Sequence, residues 1–166
     1  LDKKTLIKLL YDFGIPDPEY WADQELNNDI WAHLAAFRFL RPLQNDLDGY
    51  LERPEDWINS ELNRCHSEIG HIINSMLEAG IPPKDIGLFA YWIARYAYIG
   101  VLHRLSDPAG GDYDLENEGE ELPRWRLIET YIRKDGDTVR EINTGRYIPE
   151  LHTLFPYRNP EGKPKT

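Results

Sequence analysis

Hydrophobic positions along the chain recur mostly at helical spacing. Leu6, Leu9, Leu10 and Phe13 fall at i, i+3, i+4 and i+7, which predicts a first helix over Lys3 to Phe13. Asp2 is placed to cap it, Gly14 to end it in a left-handed turn, and Pro16 and Pro18 to block continuation. A second helix is expected from about Gln24 to Arg41, with Asp23 as N-cap and Ile30, Leu34 and Phe37 in register. Pro42 would close it, and Asn45 to Gly49 reads as a turn. A third, unusually long helix follows Pro54. Glu55 and Asp56 suit its positive end, Ile58, Leu62, Cys65, Ile69, Ile72, Ile73 and Met76 form its stripe, and Gly80 stops it. A fourth runs from Pro82-Pro83 to about Leu105. Its apolar and aromatic residues, among them Ile86, Phe89, Trp92, Ile93, Tyr96, Ile99 and Leu102, surround the whole circumference, the pattern of a helix central to its domain. Arg95 interrupts it too early for a membrane span.

The pattern then changes. Residues 107–122 contain seven acids, three glycines and no basic residue, the composition of a loop. For Trp125 to Ile142 two readings compete. Asp135-Gly136 between β-branched stretches signals a hairpin, with Ile132 opposite Val139. The rival is a helix from Pro123 to Lys134 capped by Gly136. The hairpin is preferred. Tyr147 to Phe155 reads as a strand or short helix, and Pro156 to Thr166 as a solvated end. The expected fold is therefore mainly α: a bundle of four or more helices over residues 3–106, an acidic loop at 107–122, and a small C-terminal β-hairpin appendage with its tail at 123–166. Together they form a single domain, the size expected for 166 residues.

Charge alters this picture in one place. Of the net charge of −10, −7 falls within 107–122. Such a surface repels phosphate backbones, which disfavours nucleic acid, and attracts a basic protein. Cys65 has no disulfide partner, and the first segment carries Asp2, Lys3, Lys4 and Lys8 where a secretory leader would be apolar. A cytoplasmic location is the expectation.

Three constellations are candidates for chemistry. Glu68 and His71 share a helix face at Glu-x-x-His spacing, near Cys65 and His66. The second Glu-x-x-His of a di-iron bundle and the paired histidines of a zinc protease are both missing, so no metal or other cofactor is assigned. Trp92, Arg95, Tyr96 and His103 share a face of the fourth helix, where an arginine among rings would suit an anionic ligand; packing explains such a stripe equally. In the acidic loop, Asp112, Asp114, Glu116, Glu118, Glu120 and Glu121 alternate with other residues. An EF-hand counted from Asp112 fails, because Asn117 and Pro123 stand where glycine and glutamate are required. The run is better suited to pairing with Lys and Arg around a cationic cleft. No catalytic residue is assigned: Gly-x-Ser-x-Gly is missing, and Cys65 on an apolar stripe would be inert.

The leading expectation is an acidic binding protein that neutralises a basic partner, in the manner of a bacterial immunity protein occluding a toxin. The alternatives are a structural subunit that uses the apolar fourth helix and a small-ligand or metal-dependent enzyme that uses the third and fourth helices.

Overall fold

A computed structural model of the chain describes residues 1–107 and 125–158. The acidic candidates Asp112, Asp114, Glu116, Glu118, Glu120 and Glu121 lie outside the described residues. The architecture is a mainly α, multi-helix bundle with a small two-stranded antiparallel hairpin. No helix among the described residues is long and apolar enough to cross a membrane.

Helix α1 (Lys3–Asp12) is capped by Asp2, whose carboxylate accepts from the Thr5 amide at 2.8 Å, and ends at Gly14 with φ +73°. The second expected helix is in fact two, α2 (Pro18–Asn27) and α3 (His33–Glu52). The N-cap is Asp17, whose carboxylate accepts from the Tyr20 amide, and Asp23 lies inside α2. The break is made by Asn28. Its side-chain oxygen accepts from the amides of both Ile30 and Trp31 at 2.9 Å, a local turn that competes with helix. Pro42 does not close α3 but sits within it, and the expected turn at residues 45–49 is helical. An interior proline costs a helix about 3 kcal/mol. Here that cost is outweighed by burial on both sides of Pro42: Phe37 and Leu40 before it, Gln44 and Leu47 after it.

The long third helix is likewise divided into α4 (Pro54–Leu62) and α5 (Glu68–Glu78). His66 adopts φ +60° in the connection, and the Ser67 hydroxyl caps α5 by accepting from the Gly70 amide at 2.9 Å. A Cβ on Gly70 would stand 2.6 Å from the carbonyl oxygen of Glu61, so glycine is what lets α5 fold back onto the end of α4. Cys65 lies in this connection and is exposed, not on a buried stripe as expected.

Helix α6 (Pro83–Ser106) matches its expected bounds but is not buried all round. Ile86, Gly87, Tyr91 and Leu102 face inward against α3 and α4, while Phe89, Ile93, Tyr96 and Val101 are exposed. One core cluster joins Leu6, Leu10, Phe37, Leu40, Leu47, Tyr91, Leu102, Leu151 and Phe155, and a second joins Ile58, Ile73 and Ile86.

The hairpin pairs β1 (Ile128–Asp135) with β2 (Thr138–Tyr147). Its turn is one residue later than expected. Asp135 pairs with Thr138, so Gly136 takes the first central position with φ +62°, and Ile132 lies opposite Glu141, not Val139. A short helix α7 (Leu151–Leu154) packs on α6 and α3. The expected solvated end begins too early: Pro156 and Tyr157 are buried, and Arg158 pairs with Asp48 at 2.8 Å.

Candidate functional site

The hairpin meets the helical body at a charged, largely buried joint. Ladder pairing between β1 and β2 slips between Ile128 and Thr130, opposite Asn143 to Tyr147. Gly145, at φ +79°, lies in this bulge, which turns Arg146 toward the body. One Arg146 Nη2 donates to Glu25 Oε1 at 2.7 Å and to the carbonyl of Trp31 at 2.6 Å, and Nη1 stands 3.7 Å from Glu129. The other oxygen of Glu25 accepts from the Leu34 amide at 2.9 Å. Glu25 therefore caps α3 from another helix, where a negative charge is favoured. Backbone pairing continues the joint: Tyr147 donates to Ile30 and Ala32 donates to Tyr147, each at 2.8 Å. His33 sits beside this network, buried, with its Nδ1 unpartnered among the described residues. Burial holds its imidazole below the ordinary range; Glu25 opposes the shift and Arg146 reinforces it.

Next to the joint lies a groove of about 170 Å³ bordered by Trp31, Leu105, Trp125, Arg126, Tyr147 and Glu150, among others. Trp31 and Trp125 are 41% and 43% exposed, so both indoles offer area to a partner. The Arg126 guanidinium lies 4.7 Å from the Tyr147 ring centroid, a cation–π contact that holds both side chains in place. The Trp125 indole N–H donates to the carbonyl of Arg104 at 3.1 Å. Trp125 is thereby fixed to the last turns of α6. The residues on either side of the acidic run thus meet at the groove.

The other candidates are placed differently. Trp92 carries Arg95 at 4.7 Å from its ring and Tyr96 at 5.9 Å, so these three are brought together. His103 is not with them: its ring packs 4.7 Å from His152. Tyr96 points to solvent and borders none of the grooves described. Glu68 and His71 both lie on α5, and His71 borders a shallow groove with Glu61, Arg64 and His66. Among the described residues no three His, Cys, Asp or Glu side chains are grouped to hold a metal ion. Sequence reasoning missed the Trp31–Trp125–Arg126–Tyr147 set. Its members come from an inter-helix turn, a strand approach and a strand end, and no spacing rule links them.

Comparison with protein-family models, with curated proteins and with solved structures returns no match.

Proposed function

We propose that this chain is a protein-binding module for a basic protein partner, acting by occlusion in the manner of a toxin-neutralising immunity protein. The observation that carries the reading is the tie between Trp125 and the Arg104 carbonyl. It brings described residues that flank the acidic run in the sequence, Leu105 and Trp125, to one groove, which supports reading the run and the aromatic anchors together. The two parts have separate tasks. The seven acids of 107–122 draw in and orient a cationic partner. Trp31, Trp125, Arg126 and Tyr147 are of the residue types that dominate binding energy once desolvated.

Kinetics with a partner captured from the native host would separate these tasks. The variant D112N/D114N/E116Q/E118Q is expected to slow association on the order of tenfold at low salt and to leave dissociation nearly unchanged. Trp125→Ala is expected to speed dissociation about thirtyfold. Unchanged rates in both variants would overturn the proposal.

A further inference from the structure

The outer face of α6 calls for its own explanation, independent of the acidic run. Phe89, Ile93 and Tyr96 are 61%, 56% and 65% exposed. With Gly100 they follow a 4-3-4 spacing, the seam of a helix that packs against another helix. The strip is bounded by Asp85 at one end and Arg104 at the other, and between Asp85 and His103 it carries no charge. Arg95, the one cation within that stretch, lies off the strip, stacked on Trp92 with its Nε buried.

Gly100 is the second observation. A glycine inside a helix weakens it relative to alanine, so such a position normally has a packing reason. Gly87 has one: a Cβ there would strike the Tyr50 carbonyl oxygen and lie 2.7 Å from Pro54 Cβ. A Cβ on Gly100 would meet nothing within 4 Å. Nothing among the described residues accounts for glycine at this point of the strip. Close approach by a packing partner would account for it.

We infer that α6 is the interface of a homodimer, packed antiparallel against α6 of a second copy. The sequence of the strip fits its own reversal. A two-fold axis level with the Ala94–Arg95 peptide sets Ile93 against Tyr96 twice and Phe89 against Gly100 twice. The Phe89 ring then faces the residue with no side chain, a large-against-small fit of the kind found in close helix packing. The same axis brings Asp85 level with Arg104 of the second copy, so the strip's two charged ends are complementary. A parallel arrangement would stack Phe89 on Phe89 and set like charges side by side. The strip runs about 29 Å along the helix, at 1.5 Å per residue from Asp85 to Arg104, and is one helix wide. That area lies at the lower end of specific interfaces, so the dimer is concentration-dependent.

Sedimentation across about 1 μM to 1 mM, the span in which interfaces of this size dissociate, is the test. The mass is expected to rise from the 19.4 kDa of one chain toward twice that value. Ile93→Glu places two charges in the central layer and is expected to weaken association at least about thirtyfold. Because Ile93 is largely exposed, its circular dichroism should match the parent. Register is read in a Cys65→Ser background by mixing Ile93→Cys protein with Tyr96→Cys protein. The mixed disulfide is expected to form faster than either symmetric one. A monomer at every concentration, as when a segment of the same chain covers the strip, overturns the inference. So does a dimer indifferent to Ile93→Glu, or a predominance of symmetric disulfides.

Discussion

Replacing Arg146 with alanine should loosen the hairpin from the helical body. Glu25 is only 9% exposed at its side chain, and Arg146 is 21% exposed. Breaking a buried ion pair from one side costs about 3–5 kcal/mol, because the remaining charge stays desolvated and uncompensated. In R146A the Glu25 carboxylate would keep its Leu34 amide donor and the favourable end of α3, which places the loss near the lower bound, about 3 kcal/mol. For a chain of this size that corresponds to a Tm lower by about 6–12 °C. Glu25→Gln keeps one carbonyl oxygen, for either Arg146 or the Leu34 amide, and turns a donating NH2 toward the other, with Arg146 left beside Glu129, so its cost should be about 1–3 kcal/mol. Urea unfolding followed by tryptophan fluorescence and far-ultraviolet circular dichroism measures each variant, and the double mutant gives the coupling. A coupling of about 1.5 kcal/mol or more is expected for groups in one buried network. If R146A costs less than about 1 kcal/mol and the two changes are additive, the ion pair does not hold the joint.

Other consequences follow from the same structure. Burial keeps the folded His33 pKa below its unfolded value of 6.5, so between the two the unfolded chain binds more protons. Stability should therefore fall as pH drops from above 6.5 through the folded pKa, and His33→Gln should remove that component; a slope unchanged in the variant argues against it. In R146A the lowering influence of Arg146 is gone, and a proton-NMR titration should find the His33 pKa higher than in the parent. Gly87→Ala should cost about 1–3 kcal/mol through overpacking against α3 and α4, read as a lower urea midpoint, and a neutral result would show that α6 can shift outward. The Tyr91 hydroxyl is buried with no partner among the described residues, so Tyr91→Phe should be neutral or stabilising by about 1 kcal/mol, and a clear loss would reveal a hydrogen bond to that oxygen.

Local signals announced the elements whose ends are set locally. Asp2 and Gly14 bound α1, Pro83 opens α6, and the β-branched residues around Asp135-Gly136 form the hairpin. The one-residue error in its turn arose because glycine serves the first central position as well as the second. The failures lie where distant residues decide. A periodic pattern across Asn28 looked continuous because the interruption depends on side-chain bonds to Ile30 and Trp31, and α3 starts where Glu25 caps it. At Pro42 propensity predicts a helix stop, which burial of Phe37 and Leu47 overrides. The aromatic groove could not be foreseen, since Trp31 and Tyr147, which border it and are joined by a backbone bridge, stand far apart in the sequence. The exposure of α6 was hidden for a related reason: an apolar circumference shows what a helix can bury, not how much of it one chain covers.

The chain's five tryptophans allow the binding surface to be observed without mutation. Each indole N–H gives its own signal in a nitrogen-15 correlation spectrum, and a bound partner shifts those it covers. On adding the captured basic partner, the Trp31 and Trp125 signals should move together, while Trp57, which borders a different groove with Tyr50, stays in place. Shifts confined to other indoles, with Trp31 and Trp125 unmoved at saturation, would contradict the assignment of this groove as the partner site.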